Sequence, residues 1–262
     1  MKARYIRIGV LLFILASVAN TAWLARGRTS DWKYSVRVAI YPIAADNSAA
    51  TADYVRSLRV ETVQPIAQFM TREAQRHGLA LDAPVDMYVA PPLPTSPPAP
   101  PSRGNVMDVM LWSLHLRYWA WRHDNLKRQK PDVRLFVNYF DPARVTRLPH
   151  STGLQKGHVG VVNAFAAAEQ DGPNNVVIAH ELLHTLGATD KYDPSNNQPR
   201  HPDGYAEPHA EPLLPQRKAE IMAGRIPRSQ TEAEIPAALT LCAIGTVTAR
   251  EINWLKNGRA AD

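Results

Sequence analysis

Strict alternation opens the regular part of the chain. In Tyr34-Ser35-Val36-Arg37-Val38-Ala39-Ile40 the side chains of Val36, Val38 and Ile40 fall on one face, the period-two pattern of a half-buried strand. Residues 51–77 change to helical spacing and predict one or two helices, with Pro65 expected to break or start one because it lacks an amide hydrogen. Arg76 and His77 in the last turn and Gly78 after it mark the end. Val85–Val89 predicts a second strand. Residues 91–101, PPLPTSPPAPP, hold seven prolines, which exclude a helix or an inner strand and predict an extended polyproline connector.

Over 106–121, Met107, Leu111, Leu114, Tyr118 and Trp121 recur at intervals of three and four. Val106, Met110, Trp112 and Trp119 widen that face, so the spacing predicts a well-buried helix. His115 and His123 have no partner at ligand spacing and are assigned to structure. Further strands are predicted at 133–139 and 158–164. The order strand, helix, strand, helix, strand, strand implies an α/β or α+β layout, with helices covering a mostly parallel sheet. Residues 193–220 carry prolines 194, 199, 202, 208, 212 and 215 among Asn, Asp and Gly and predict a long loop. Then 236–244 and 248–255 predict two closing helices, the second capped by Thr248 with Trp254 facing the core.

Composition changes this picture little: 262 residues, 45% apolar and 21% charged, are enough for a substantial core. Charge changes it more. Of the net +6, the first 33 residues contribute +5, from Lys2, Arg4, Arg7, Arg26, Arg28 and Lys33 against Asp31. The basic balance therefore belongs to the N-terminus, and no nucleic acid is expected as a partner. Behind three of these cations, the twelve residues 8–19 are uncharged and end in the small-x-small triplet Ser17-Val18-Ala19, the pattern of an export signal. Continued to Ala25 the stretch is eighteen residues long, the lower range for an uncleaved membrane anchor. Either reading makes 1–30 a targeting or anchoring segment and puts 31–262 outside the cytoplasm, in the periplasm or beyond it. The single cysteine, Cys242, lies in AALTLCAIG, so no intrachain disulfide or thiolate cluster can form and a small buried hydrophobe is expected.

The chemistry concentrates in residues 174–187, NNVVIAHELLHTLG, which predict a short helix with Asn174 at its start and Gly187 at its end. At 100° per residue Val176, Ala179, Leu182, Leu183 and Leu186 form an apolar back, opposite Val177, His180, Glu181 and His184. His180 and His184 are one turn apart, which puts their β-carbons about 5 to 6 Å apart, a spacing that suits one tetrahedral ion. Glu181 is turned away from that coordination and flanks the open position, where a carboxylate can take a proton from bound water. This is the HExxH pattern of zinc hydrolases. Gly187 can reverse the chain in the left-handed conformation, and Asp190 then returns a carboxylate to the same ion. Asp193, His201, Glu207 and His209 are alternative third ligands, and Asp190 would then cap a loop.

His180-Glu181-x-x-His184-x-x-Gly187-x-x-Asp190 resembles the extended zinc signature of the metzincin metallopeptidases, with Asp where most members carry a third His, as in the snapalysin-type variant. The resemblance implies a Zn2+ cofactor held by His180, His184 and Asp190, with Glu181 as the general base. It implies a metzincin-like α+β fold, with an upper sheet-and-helix part over 31–187 and a lower, mostly irregular part over 188–262. It also implies a tight turn whose methionine underlies the zinc, a role that falls to Met222 in Ile221-Met222-Ala223-Gly224. The tyrosine some members carry two residues after that methionine is absent, since Gly224 stands there; Tyr192 and Tyr205 are candidates to stabilise an oxyanion. By position, residues 158–162 resemble the sheet-edge strand on which metzincins lay an extended substrate, and His158 lies there either as a neighbour of the ligands or as an ordinary strand residue.

The expectation is an exported or membrane-anchored zinc peptidase, an endopeptidase acting on protein or peptide substrate. Two rivals share the metal site: a zinc-containing envelope binding module without hydrolytic activity, and a metal-dependent amide hydrolase acting on a non-protein envelope substrate.

Overall fold

The computed structural model describes residues 31–101, 105–126, 130–154 and 158–255. The expected export signal or anchor in 1–30 lies outside them, and among the described residues no helix is long and apolar enough to cross a membrane. The fold is α+β. Its helices are α1 (Ala49–Ser57), α2 (Val60–Arg76), α3 (Val106–His123), α4 (Asp171–Leu186) and α5 (Thr246–Glu251). The main sheet uses β1 (Val36–Ala44), β2 (Val85–Val89), β3 (Val133–Phe140), β4 (Thr152–Leu154) and β5 (Val159–Phe165), in the order β2-β1-β3-β5-β4. The first four strands in that order are parallel, while β4 pairs antiparallel with β5 and forms the edge, Gly153 opposite Gly160.

Alternation along the strands decides which helices lie on which face. Val36, Val38 and Ile40 of β1, with Val133, Leu135, Val137 and Tyr139 of β3, join the core shared with α1, α2 and α4. Ala39, Tyr41, Ile43 and Phe136 point the other way, towards Leu116 and Ala120 of α3. Residues beyond Gly187 add Ile221, Met222, Ile226, Leu239, Ile244, Ile252 and Trp254 to the first of these cores, so the sheet and the irregular C-terminal part share one hydrophobic interior. Trp254 faces that core as expected, edge-on to Trp32 at 5.7 Å. Cys242 is buried too, and burial pushes its thiol up to about 12, so it behaves as a small hydrophobe.

Several expectations need correction. Pro65 neither breaks nor starts a helix: it lies inside α2, and the break falls at Leu58 and Arg59, while Gly78 ends α2 with φ of 72° as expected. Residues 236–244 do not form a helix but a 3-10 turn, Leu239–Leu241, followed by β9 (Cys242–Ala243), which pairs with β8 (Ala219–Glu220). Thr248 lies within α5 rather than capping it; its hydroxyl is bonded to Glu220 at 2.7 Å. Residues 193–220 hold little regular structure, as expected, with β7 (Gln198–Pro199) pairing back to β6 (Tyr192–Asp193).

The largest correction concerns α3. Its helical period is as expected but the phase is reversed: Met107, Leu111, Leu114, Tyr118 and Trp121 are exposed, and Leu116 and Ala120 carry the contact with the sheet. The helix is apolar on two opposite faces, so period alone cannot say which one the sheet covers. Polar contacts fix the choice at its C-terminal end, where the carboxylate of Asp124 accepts from the Tyr41 hydroxyl at 2.7 Å and pairs with Arg134 at 2.7 Å. Trp119 packs edge-on to Phe136 at 5.0 Å, and the Trp112 indole donates to the Pro98 carbonyl of the proline connector at 2.9 Å. Leu116→Ala is therefore expected to destabilise the fold by about 2 to 4 kcal/mol, and Leu111→Ala by no more than about 0.5 kcal/mol, in urea unfolding. Equal losses at both positions would refute the assigned orientation.

Candidate metal centre

The site is carried by α4, whose register the rest of the structure pins. Val176, Ala179, Leu182, Leu183 and Leu186 form the buried back, as the spacing predicts. The helix begins at Asp171, and Asn174 does not cap it. Instead the Asn174 side chain accepts from the Phe165 amide at 3.0 Å and donates to the Phe165 carbonyl at 2.8 Å, clipping the helix to the end of β5. Asn175 donates to the Thr62 carbonyl on α2 at 2.8 Å. At the other end Gly187 takes the left-handed conformation, φ 115°, and turns the chain back so that Asp190 reaches the two histidines.

His180, His184 and Asp190 are brought together. The two Nε2 atoms are 3.0 Å apart, and Asp190 Oδ1 is 3.2 Å from that of His180 and 3.1 Å from that of His184. Donor atoms around one tetrahedral zinc with bonds of about 2.0 to 2.1 Å stand about 3.3 to 3.4 Å apart, so an outward shift of a few tenths of an ångström would admit one ion. The tautomers follow from the other ring nitrogens. His180 Nδ1 lies 2.9 Å from the Ile221 carbonyl and His184 Nδ1 lies 2.8 Å from the Ala188 carbonyl. Carbonyls only accept, so both Nδ1 atoms carry the proton, and in the neutral rings both Nε2 atoms present lone pairs. Two lone pairs and a carboxylate oxygen facing one another at about 3 Å repel, and positive charge between them, a further proton or a cation, relieves that repulsion. The donor set of two imidazoles and one carboxylate fits Zn2+, with each histidine held by a backbone carbonyl behind it.

Titration reflects the same geometry. Burial opposes ionisation of Asp190, yet hydrogen bonds and charge from His180 and His184 hold its carboxyl well below the usual range. Burial lowers the His180 imidazolium, but Asp190 and Glu181 outweigh it and raise the group. Glu181, next to His180 on the helix, is 6% exposed, and its Oε2 has no hydrogen-bond partner. Burial pushes this carboxyl up, while His180 and His184 pull it partly back, an environment that suits a group which must both accept and release a proton.

The supports behind the ligands are absent from any motif. Ile221, whose carbonyl orients His180, opens the 3-10 turn Ile221–Ala223, and Met222 there is fully buried. That turn is pinned by Glu220, whose Oε2 accepts from the amides of Met222 and Ala223, and whose Oε1 accepts from Gly245 and Thr248. On either side of Asp190, Thr189 and Lys191 are fastened to Glu251 of α5. The Thr189 amide and hydroxyl bond its two oxygens, and Lys191 Nζ lies 2.8 Å from both. The Lys191 amide also donates to the Met222 carbonyl at 3.0 Å, tying the two supports together.

Residues 158–162 are not the sheet edge, because β5 is covered by β4. The edge is Thr152–Leu154, and Gly153 passes directly over α4. A Cβ built there would lie 2.6 Å from the His184 Cβ and 2.7 Å from the Glu181 carbonyl oxygen, so only glycine allows this approach. His158 lies before β5, buried, with Nδ1 3.2 Å from the Thr185 carbonyl, and takes no part in the ligand cluster. Neither do the alternative third ligands, since the cluster comprises His180, His184 and Asp190 among the described residues. Asp193 holds the Ser195 turn, His201 stacks edge-on to Tyr205 at 5.1 Å, and Glu207 and His209 are exposed. Tyr192 stands closer: burial raises its phenol, and the charges of Asp190 and Glu181 raise it further.

No family model matches this chain, and no curated protein matches it.

Glu251→Gln is expected to cost about 2 kcal/mol at pH 7, because it strands a buried Lys191 ammonium. Burial alone would raise Glu251, but Lys191 and Thr189 hold it below its ordinary value. Its contribution is thus complete above about pH 4.3 and is lost as the pH falls through the depressed folded value. Urea unfolding of wild type and variant should separate at neutral pH and converge towards pH 3.

Proposed function

We propose that this chain is a zinc-dependent peptidase of metzincin-like type, an exported or membrane-anchored hydrolase acting on protein or peptide substrate. The observation that carries the reading is the convergence of three electron-pair donors on one point beside a buried carboxylate, Glu181, whose Oε2 is unpartnered. His180, His184 and Asp190 would hold the metal, and bound Zn2+ would supply Lewis acidity to the scissile carbonyl and its attacking water. Glu181 is the general base: it accepts the water's proton and passes it to the leaving amine. Burial raises its carboxyl, which favours the proton-carrying form that it needs in the second half of that transfer. Tyr192, beside Asp190, is the better placed of the two tyrosine candidates for an oxyanion, since Tyr205 pairs with His201 and Ala219. Gly153 brings the backbone of the antiparallel edge close over the helix, which supports a substrate laid in extended form along that edge.

Metal analysis and peptide cleavage on the purified full chain test this together. Wild type should bind one equivalent of zinc and cleave a denatured-protein mixture. Glu181→Gln should keep the zinc and lose at least about 100- to 10,000-fold in cleavage rate. His184→Ala should lose the metal, and Asp190→Ala should bind it far more weakly. Undiminished cleavage by Glu181→Gln would sink the proposal, and tight one-equivalent binding by Asp190→Ala would move the third ligand elsewhere.

A further inference from the structure

The outward face of α3 is apolar along its whole length, and the metal centre does not use it. Met107, Met110, Leu111, Leu114, Tyr118 and Trp121 are 55 to 72% exposed. At 100° per residue they share an arc of about 100°. Contiguous apolar surface of this size marks an interaction site. The charge beside it is one-sided. Arg117 lies along one border of the arc and His115 and Arg122 along the other, and the sequence adds Lys127, Arg128 and Lys130 just beyond. Of the anions in 105–130, Asp124 is committed to Tyr41 and Arg134, which leaves Asp108. The amphipathic rings Tyr118 and Trp121 sit at the basic end of the arc, the placement such rings take at a membrane–water boundary.

The sequence ahead of the described residues would keep a bilayer within reach of the domain. The uncharged stretch 8–25 ends seven residues before Trp32, which is fixed to the domain by its indole donating to the Ile252 carbonyl at 2.6 Å. Seven extended residues reach about 25 Å, so a domain tethered by that stretch stays within about one domain diameter of a bilayer.

We propose that α3 is a membrane-surface helix, whose outer stripe enters the headgroup layer of an anionic phospholipid bilayer while its flanking cations meet the lipid phosphates. Such helices lie in the interface plane with the apolar face sunk about 5 to 10 Å. This goes beyond the peptidase reading and depends on the N-terminal segment rather than on the metal. The rival occupant is a second copy, because positions 107, 111, 114, 118 and 121 also follow a heptad seam. A parallel pair, however, would set Arg117 of one helix against Arg122 of the other, with a basic stretch following both.

The test uses the full chain in vesicles of phosphatidylglycerol and phosphatidylcholine, with an environment-sensitive fluorophore on Leu114→Cys or, as control, on the exposed position Glu232→Cys. Cys242 is buried and stays in place. The probe at 114 should shift to the blue and be quenched by bromine-labelled lipid chains, and the probe at 232 should remain in water. Adding Arg122→Gln should lower the docked-to-free ratio at 114 about fivefold on anionic vesicles, the effect of one surface charge. Circular dichroism and urea unfolding unchanged from wild type in both labelled chains show that they fold. A water-exposed, unquenched probe at 114 overturns the proposal, as does cross-linking of 114 to 114 between copies without lipid quenching.

Discussion

Two imidazole lone pairs and a carboxylate oxygen repel one another, and at about 3 Å they stay together only if the scaffold holds them there or positive charge lies between them. Most of the polar architecture around α4 serves that constraint. One turn of helix sets the two histidines side by side, and a carbonyl behind each Nδ1 fixes its tautomer so that the lone pairs converge. Gly187 in the left-handed conformation lets the chain double back within three residues, close enough for Asp190 to complete the triangle.

Behind the three converging side chains stand one buried and one half-buried carboxylate with different work. Glu220 gathers four donors and fixes the turn whose Ile221 carbonyl meets His180. Glu251 clamps Thr189 and Lys191, the neighbours of Asp190 on both sides. The irregular C-terminal part thus has a positive structural task. It supplies the carbonyl, the clamp and a shared hydrophobic interior, without which the front face of α4 would be a pair of histidines on an exposed helix.

The opposite face of the sheet follows a different logic. There, among the described residues, α3 covers Tyr41, Phe136 and Ile43 with Leu116 and Ala120 flanked by Trp112 and Trp119, while a second apolar stripe looks outward. A helix with two apolar faces can satisfy a sheet and an external partner at once. That division puts the His180, His184 and Asp190 cluster on one side of the sheet and the uncovered apolar stripe on the other.

The sequence by itself determined the strands β1, β2, β3 and β5 within a residue or two at most strand ends, the apolar back of α4, and the identity of His180, Glu181, His184 and Asp190 as neighbours in space. These follow from local rules: period two in a strand, one turn between ligands four apart, and a glycine that reverses the chain. Tertiary structure alone decided the rest. Three residues with a central glycine carry no strand signal, so β4 emerged only from its pairing with β5, and the need for Gly153 only from its contact with His184. The orientation of α3 was illegible because both of its faces are apolar, and the choice was made where Asp124 and Arg134 meet Tyr41, which lies 83 residues before Asp124. Glu220 and Glu251 were invisible for the same reason: a carboxylate becomes a brace only where separate segments bring amides, hydroxyls and an ammonium around it, and distance along the chain conceals such meetings.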